Sequence, residues 1–123
     1  MEKYLASYDQ CVALKELGFR KRVNYYFEDG VLKIHPTVTG WDFNVSFTTC
    51  VSRPTKAQVF VWFREKYNLY VHVDDFTMSG KVTYDYTTRT LGSQEDNPRG
   101  QYTEYHEAES ASIDELIKII KNK

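Results

Sequence analysis

The sequence predicts an α+β fold in which an antiparallel sheet of about five strands carries three helices, mainly on one face. Two capping boxes, each followed by an apolar helical stripe, predict helices, and two pairs of alternating segments joined by turns predict β-hairpins. A third apolar stripe near the end of the chain predicts the last helix. The 123 residues suffice for one domain, which we expect to span residues 1–123.

The first helix is marked at both ends by residues that usually begin and end helices. Ser7 and Gln10 form a capping box, in which the hydroxyl and the amide satisfy the first free backbone donors. Gly18, followed by an apolar residue, is typical of a left-handed helix end. We therefore expect a helix over residues 8–17.

Asp29 and Gly30 separate two alternating segments and predict a tight hairpin, because both central positions of the favoured turn need a positive φ. A two-residue loop fixes the register and gathers apolar side chains on one buried face. The expected pairs are Glu28 with Val31, Phe27 with Leu32 and Tyr25 with Ile34. Tyr26, Lys33 and His35 then lie on the opposite face.

The middle of the chain predicts a third strand and a second helix. Alternating apolar residues predict a strand over residues 42–48. Thr55 and Gln58 form the second capping box, and a wide apolar arc follows it, which indicates a well-buried helix. The arc contains Val59, Phe60, Trp62, Phe63 and Tyr67.

Residues 69–74 and 81–87 alternate and predict a second hairpin. With a four-residue loop over residues 77–80, the expected pairs are Val73 with Tyr84, Val71 with Tyr86 and His72 with Asp85. Residues 91–100 lack periodicity and are rich in turn formers, which predicts an exposed, mobile loop. Residues 101–103 are a candidate short strand, and apolar residues at helical spacing predict a helix over residues 105–121.

Composition excludes several functional classes. Sixteen basic against seventeen acidic residues give a net charge of -1, so no global field is available to bind duplex nucleic acid. No segment has the length and apolarity of a signal peptide or a bilayer span, so we expect a cytoplasmic protein without a membrane partner. Cys11 and Cys50 lack the spacing of a metal site or redox pair, which predicts two buried thiols and no metal or cofactor.

His72 is the strongest candidate for catalysis, because the expected register places it beside Asp85, a carboxylate that could orient the imidazole as a general base. The alternative is a solvated polar pair across two strands. The chain contains neither a nucleophile elbow nor a phosphate-binding glycine loop. A hydrolase or nucleotide-processing enzyme would therefore depend on His72 and Asp85.

Aromatic residues with nearby cations give a better functional indication. Aromatic faces stack on bases and arginine binds phosphate, so such residues could hold a small nucleotide-type ligand. The candidates are Trp41, Tyr26, Lys33, Arg89, Arg99 and Tyr102. The alternative is that these rings cover the edges of the core.

An oligomer contact is a further reading of the second hairpin. Its outer face would carry Tyr70, His72, Thr83 and Asp85, and Val61 lies off the apolar arc of the helix before it. Small single-domain chains often associate as symmetric dimers, so this face predicts a homodimer or a higher homo-oligomer.

Three pieces of the chain together resemble a family of small uncharacterised proteins of bacteriophages and prophages. These are residues 14–19 before a Tyr-rich strand, the helix-to-strand unit over residues 54–69, and residues 105–109 at the start of the last helix. Glu104 departs from the pattern, which often has Thr at that helix cap. The resemblance implies a phage accessory protein and carries over no catalytic residue.

Three functions are therefore predicted. The first is a binding protein, for a host protein or a small nucleotide-type ligand, with counter-defence as the purpose. The second is the small enzyme that uses His72 and Asp85. The third is a structural or assembly protein that acts through its oligomer surface.

Overall fold

The computed structural model describes residues 2–46, 49–90 and 102–122. The chain divides into two compact units, Met1–Gln58 and Val59–Lys123. The described residues form four α-helices and five strands, and the strands belong to two antiparallel sheets. The α+β class, the antiparallel pairing and the number of strands confirm the prediction, whereas the strands do not form one sheet and the α-helices number four.

The elements follow one another along the chain in a simple order. A short 3-10 turn at Glu2–Tyr4 comes first. The helices are α1 (Tyr8–Glu16), α2 (Phe43–Ser46), α3 (Lys56–Tyr67) and α4 (Tyr105–Lys121). The strands are β1 (Tyr25–Glu28), β2 (Val31–Ile34), β3 (Cys50–Arg53), β4 (Leu69–Met78) and β5 (Lys81–Thr90).

Helix α1 begins and ends as the sequence predicts. The Gln10 backbone N–H donates to Ser7 Oγ at 3.2 Å, and the Ser7 N–H donates to Gln10 Oε1 at 2.9 Å. Gly18 has a φ of 93°, which is the left-handed conformation that ends a helix. Phe19 is fully buried directly after it. The capping box and the glycine stop are both confirmed.

The first unit contains a three-stranded sheet in the order β2-β1-β3. The predicted pairing of β1 with β2 is confirmed residue by residue, and Asp29 and Gly30 have φ values of 50° and 81°. The expected burial of the whole apolar set is wrong for β2, whose Ile34 is 64% exposed, although Phe27 on β1 is buried. The β2 side chains remain exposed because β2 lies at the edge of the sheet, whereas helix α1 packs on β3 at the opposite edge.

The strand predicted over residues 42–48 is wrong where it can be checked, since residues 43–46 form the short helix α2. Asn44 explains the difference, because its backbone N–H donates to Asp42 Oδ1 and its Oδ1 accepts from the Ser52 N–H at 2.9 Å. Such local side-chain bonds compete with a sheet ladder for backbone groups. Residues 47 and 48 lie outside the described residues.

Arg53 fastens the start of the chain to β3. Its Nε donates to the Ala6 carbonyl at 2.7 Å, and its two terminal nitrogens bind the Glu2 carboxylate at 2.9 and 2.8 Å. Arg53 is buried, with its guanidinium 5.1 Å from the centre of the Phe27 ring. The hydrogen bond and charge of Arg53 lower the pKa of Glu2. A buried guanidinium needs such bonds, since an unpaired one would be costly.

Helix α3 starts at the predicted capping box. The Gln58 N–H donates to Thr55 Oγ1 at 3.1 Å, and the Thr55 N–H donates to Gln58 Oε1 at 2.8 Å. Trp62 and Phe63 are buried, with ring centres 5.1 Å apart. Val61 lies off this face and is exposed. Val59, Trp62 and Phe63 of the predicted apolar arc are thus core, while Phe60 and Tyr67 are half-buried at its edges.

The second hairpin forms, but its predicted register is wrong by two residues. Its loop has two residues rather than four, because Ser79 and Gly80 adopt φ values of 53° and 77° and Met78 pairs with Lys81. The positive φ values match the primed turns that suit the twist of a hairpin. The actual pairs are Val73 with Tyr86, Val71 with Thr88 and His72 with Thr87.

Helix α4 spans the predicted residues and packs on β4 and β5. Its buried face includes Ile113, Leu116 and Ile117. These residues have the helical spacing from which the sequence predicts this helix. Glu104 precedes the helix and makes no side-chain capping bond. The loop predicted over residues 91–100, with Arg99, and residue 101 of the candidate strand lie outside the described residues.

Candidate functional site

A cavity of about 340 Å³ lies in the first unit, and we call it the aromatic pocket. Its walls come from β1, from the segment after β2, from the start of α2 and from β3. The lining residues are Tyr26, Glu28, His35, Trp41, Phe43 and Cys50. Four of these six side chains are aromatic rings, counting the imidazole, so the lining of the pocket is mainly aromatic.

Trp41 is held at the pocket by an isolated antiparallel bridge to Val23. The Val23 N–H donates to the Trp41 carbonyl at 2.9 Å, and the Trp41 N–H donates back at 2.8 Å. Gly40 makes this approach possible, because a Cβ there would lie 2.6 Å from the Val23 carbonyl oxygen. Its φ of 68° also favours glycine. Trp41 is 42% exposed and so remains accessible.

The rings of the pocket form a connected cluster. Tyr26 and Phe43 stack nearly parallel, with centres 3.9 Å apart and planes 10° apart. The His35 ring meets Phe43 edge-on at 5.6 Å and lies 6.5 Å from Trp41. Phe43 is buried, and its N–H donates to Ser52 Oγ on β3 at 3.0 Å. The pairing of β3 with β1 therefore places Phe43 over Tyr26.

Polar bonds fix the His35 ring as one wall of the pocket. Its backbone N–H donates to the Asn24 carbonyl at 2.6 Å, and the Asn24 amide donates to the Thr37 carbonyl at 2.6 Å. The Thr37 hydroxyl lies 2.8 Å from His35 Nδ1. One ring nitrogen is thus occupied by the chain itself.

One wall of the pocket is charged. Lys33 Nζ lies 2.6 Å from Glu28 Oε1, and Cys50 Sγ lies 3.7 Å from Glu28 Oε2. The hydrogen bond and charge of Lys33 lower the pKa of Glu28, and the same contact raises the pKa of Lys33. Burial, together with the Glu28 carboxylate, raises the pKa of Cys50. At neutral pH the pocket therefore holds a carboxylate, an ammonium beside it and a protonated thiol.

Three consecutive cations, Arg20, Lys21 and Arg22, are exposed. They directly precede Val23, which forms the backbone bridge with Trp41. The Arg22 guanidinium lies 5.9 Å from the centre of the Trp41 ring. Arg20 Nε lies 3.2 Å from Asp42 Oδ2, an exposed ion pair. We call residues 20–22 the basic rim.

The structure brings together some of the predicted ligand-binding residues. Tyr26 and Trp41 line the same pocket, and Lys33 joins it through Glu28. Arg89 and Tyr102 belong to the second unit, where Arg89 pairs with Tyr70 and Tyr102 bridges Tyr84. The prediction is therefore divided between two units.

The predicted pairing of His72 with Asp85 is wrong. His72 lies opposite Thr87, and its Nε2 is 2.7 Å from Asp74 Oδ1 on its own strand. The His72 side chain is 77% exposed, as expected for a solvated polar pair. Asp85 lies opposite Asp74 instead, and within the described residues its buried Oδ1 has no hydrogen-bond partner. The two-residue turn causes the change, because it shifts every pair of the hairpin.

The surface predicted for oligomer contacts is accessible in the second unit. Tyr70 and Phe76 are exposed and lie two apart from His72 and Asp74 on the same strand face of β4. Val61 is also exposed. The most apolar exposed strand in the described residues is nevertheless β2 of the first unit, through Val31, Leu32 and Ile34.

Sequence reasoning missed four of the six residues that line the pocket. The missed residues are Glu28, His35, Phe43, Cys50 and, at the rim, Arg22. Three consecutive cations at residues 20–22 were a usable signal for an anion-binding rim. No local signal could have placed Phe43, because its contact with Tyr26 depends on β3 pairing with β1.

Neither a metal site nor a membrane span is found in the part of the chain that the structure describes. No three side chains of His, Cys, Asp or Glu come together there in a way that could hold a metal ion. No described helix combines the length and the apolar character needed to cross a membrane.

Comparison of the chain with protein-family models, with curated proteins and with solved structures found no match. The resemblance to phage proteins therefore remains a prediction based on the three sequence segments. The case for function depends on the aromatic pocket.

Proposed function

We propose that the protein is a non-catalytic binding protein that holds a small nucleotide-type ligand in the aromatic pocket. The observation that supports this most is the meeting of Tyr26, His35, Trp41 and Phe43 around one cavity. Stacking of a base on an aromatic side chain contributes about 1–3 kcal/mol, whatever the base. A volume of about 340 Å³ lies at the lower end of small-molecule sites, which suits a mononucleotide.

The basic rim supplies the second half of nucleotide recognition. Arginine binds phosphate oxygens through two parallel N–H bonds, and Arg22 lies directly against the accessible Trp41 ring. A base stacked at Trp41 would therefore place its phosphate near the Arg22 guanidinium, which lies 5.9 Å from the centre of the ring. Since the chain has a net charge of only -1, this attraction is local and favours a small anion over a duplex.

Binding is favoured over turnover by the state of the pocket residues. Cys50 is the candidate nucleophile among the six lining residues, but its raised pKa keeps it a thiol, and the thiolate is the reactive form. His35 has one ring nitrogen engaged by Thr37. The predicted enzyme required His72 to lie opposite Asp85, and in the actual register of the second hairpin His72 lies opposite Thr87.

A sequestering role gives such a pocket a purpose. A phage accessory protein that binds a nucleotide messenger without changing it would lower the free concentration of that messenger, which is one form of counter-defence. The phage resemblance and the absence of an activated nucleophile among the lining residues support this reading together.

Assembly through a homo-oligomer is the second candidate function, and the exposed strand β2 favours it. Its outer edge is free of a neighbouring strand in the described residues, and Val31, Leu32 and Ile34 are exposed. Exposed apolar edge strands readily pair with another chain. A mass measured by light scattering tests this directly: a monomer at working concentration contradicts it.

Calorimetric titration with AMP, GMP, CMP, UMP, ADP-ribose and cyclic nucleotides tests the binding function. At least one should bind and raise the melting temperature, since a ligand of the native state stabilises it. Trp41→Ala should lower its affinity about tenfold or more, because a stacking surface is lost. Tyr70→Ala removes a partly exposed aromatic ring from the second unit and should leave the affinity unchanged.

The proposal fails if no nucleotide of the panel binds at millimolar concentration. It also fails if Trp41→Ala and Tyr70→Ala affect the affinity equally. The melting temperature of each ligand-free variant, compared with the wild type, shows whether a loss of affinity comes from unfolding.

A further inference from the structure

The Glu28 and Lys33 side chains form a paired polar edge in an otherwise mainly aromatic pocket. Glu28 lines the cavity, and Lys33 Nζ lies 2.6 Å from its Oε1. Lys33 pairs with Tyr26 across the strands, so it shares the sheet face of that pocket ring. The ammonium donor therefore lies beside Oε1 and the Cys50 thiol beside Oε2, which gives the row of polar groups the order ammonium donor, first carboxylate acceptor, second carboxylate acceptor.

Both side chains have hydrogen-bonding capacity beyond their mutual contact. An ammonium carries three donors, and an ionised carboxylate offers about four lone-pair sites on two oxygens. Lys33 uses one donor on Glu28, and Glu28 accepts from Lys33 and weakly from the Cys50 thiol. A ligand edge that reads acceptor, donor, donor would complement this row.

The Watson–Crick edge of guanine has this order, with the O6 acceptor followed by the N1–H and N2–H donors. We propose that Glu28 and Lys33 make the aromatic pocket selective for guanine nucleotides, an inference that rests on the binding function proposed above. The Glu28 carboxylate accepts from N1–H and N2–H, while the Lys33 ammonium donates to O6. Bidentate contacts to a charged group are the strong class of hydrogen bonds and so carry discrimination.

The other bases meet this row with at least one mismatch. Adenine presents its N1 lone pair where the carboxylate needs a donor, and cytosine does the same with N3. Uracil offers a single N–H between two carbonyl oxygens, one of which would face the carboxylate. A buried or half-buried polar group that loses its partner is costly, so these ligands should bind more weakly.

A series of three purine nucleotides tests the inference on the wild-type chain. GMP has both donors, IMP lacks the N2 amino group, and AMP has neither the O6 acceptor nor the N1 donor. We expect calorimetry to give affinities in the order GMP, IMP, AMP, with GMP about tenfold tighter than IMP, since one hydrogen bond to a charged group is lost. This comparison needs no variant and so cannot be confused with misfolding.

Two variants assign the effect to the side chains. Glu28→Gln should abolish the difference between GMP and IMP and improve AMP, because the amide N–H can donate to adenine N1, which a carboxylate cannot do. Lys33→Met should weaken GMP and IMP by the same factor, since both carry O6. Melting temperatures measured without ligand identify any variant that has lost its fold.

The outcomes separate this inference from the function it rests on. If GMP, IMP and AMP bind with equal affinity, guanine selection is overturned and nucleotide binding stands. If Glu28→Gln leaves the preference for GMP intact, the assignment to Glu28 is overturned. If no nucleotide binds, the proposed function fails and guanine selection fails with it.

Discussion

The two hairpins of this protein share a turn geometry and differ in what their strands build. The turn of the first passes through Asp29 and Gly30, with φ values of 50° and 81°, and that of the second through Ser79 and Gly80, with 53° and 77°. Strands β1 and β2 have four residues each and belong to a three-stranded sheet, whereas β4 and β5 have ten each and form a two-stranded sheet in the described residues.

Their faces differ in how they are covered. Helix α2 lies over one face of the first hairpin at Tyr26, and the gap beside it is the aromatic pocket. The second hairpin packs one face on α4 and shows a polar face that includes His72. Equivalent turns thus set equivalent registers, while the segment that covers a sheet face decides whether a cavity forms there.

Among the substitutions considered, Gly40→Ala should have the largest effect on stability and on the aromatic pocket of the first hairpin. The added Cβ would meet the Val23 carbonyl at 2.6 Å, and the residue would still need a positive φ. We expect a loss of roughly 2–5 kcal/mol in the free energy of unfolding, from the left-handed conformation and the clash together. Chemical denaturation measures it, and nucleotide affinity should fall as Trp41 moves.

Gly80→Ala is the matched control for Gly40→Ala. Gly80 also has a positive φ, but a Cβ there would meet no atom within 4 Å. Only the conformational cost of about 1–2 kcal/mol should appear, with nucleotide affinity unchanged. Equal losses at Gly40 and Gly80 would contradict the role assigned to the contact with Val23.

Substituting the first residue of each turn should change the stability of the two hairpins in opposite directions. Asp29→Ala should cost about 1 kcal/mol, because alanine tolerates a positive φ less well than aspartate does. Ser79→Asn should raise stability by a smaller amount, since asparagine is favoured at this turn position. Urea denaturation measures both, and amide exchange in β4 and β5 should slow in Ser79→Asn. A destabilised Ser79→Asn would show that turn chemistry does not limit this hairpin.

Acid should weaken the Glu28–Lys33 contact of the first hairpin. Because the folded pKa of Glu28 lies below its usual value of 4.5, its contribution is present above that value and is lost as pH falls through the folded pKa. Carbon-detected NMR of the Glu28 carboxyl should give a midpoint below 4.5. Lys33→Gln should move the midpoint upward, since it removes the first cause of the shift. An unchanged midpoint would show that the ion pair does not form in solution.

Several elements could be predicted because their signals lie within a few residues. Both capping boxes, the stop at Gly18 and the turn at Asp29 depend on hydrogen bonds or φ values of neighbouring residues. The second register was missed because Ser-Gly is a weaker turn signal than Asp-Gly, and because a four-residue loop over residues 77–80 also gathers the apolar residues on one face. His72 was consequently assigned the wrong partner.

The candidate site was predicted only in part. Tyr26, Lys33 and Trp41 were identified as aromatic and cationic residues in accessible segments, and the structure places them at or beside one pocket. Phe43 was assigned to a strand, although side-chain bonds of Asn44 and Ser52 hold it in a short helix. Arg89 and Tyr102 had the same kind of local pattern and belong to the other unit.

The sequence by itself determined the starts of α1, α3 and α4, the first hairpin register, the burial of the two thiols Cys11 and Cys50, and the α+β class. These depend on local backbone chemistry and on the composition of short segments. Tertiary structure alone decided the division into two sheets and the aromatic pocket, because the pocket joins β1, the segment after β2, α2 and β3. Residues so far apart in the chain meet only after β3 has paired with β1, and no local sequence pattern specifies that pairing.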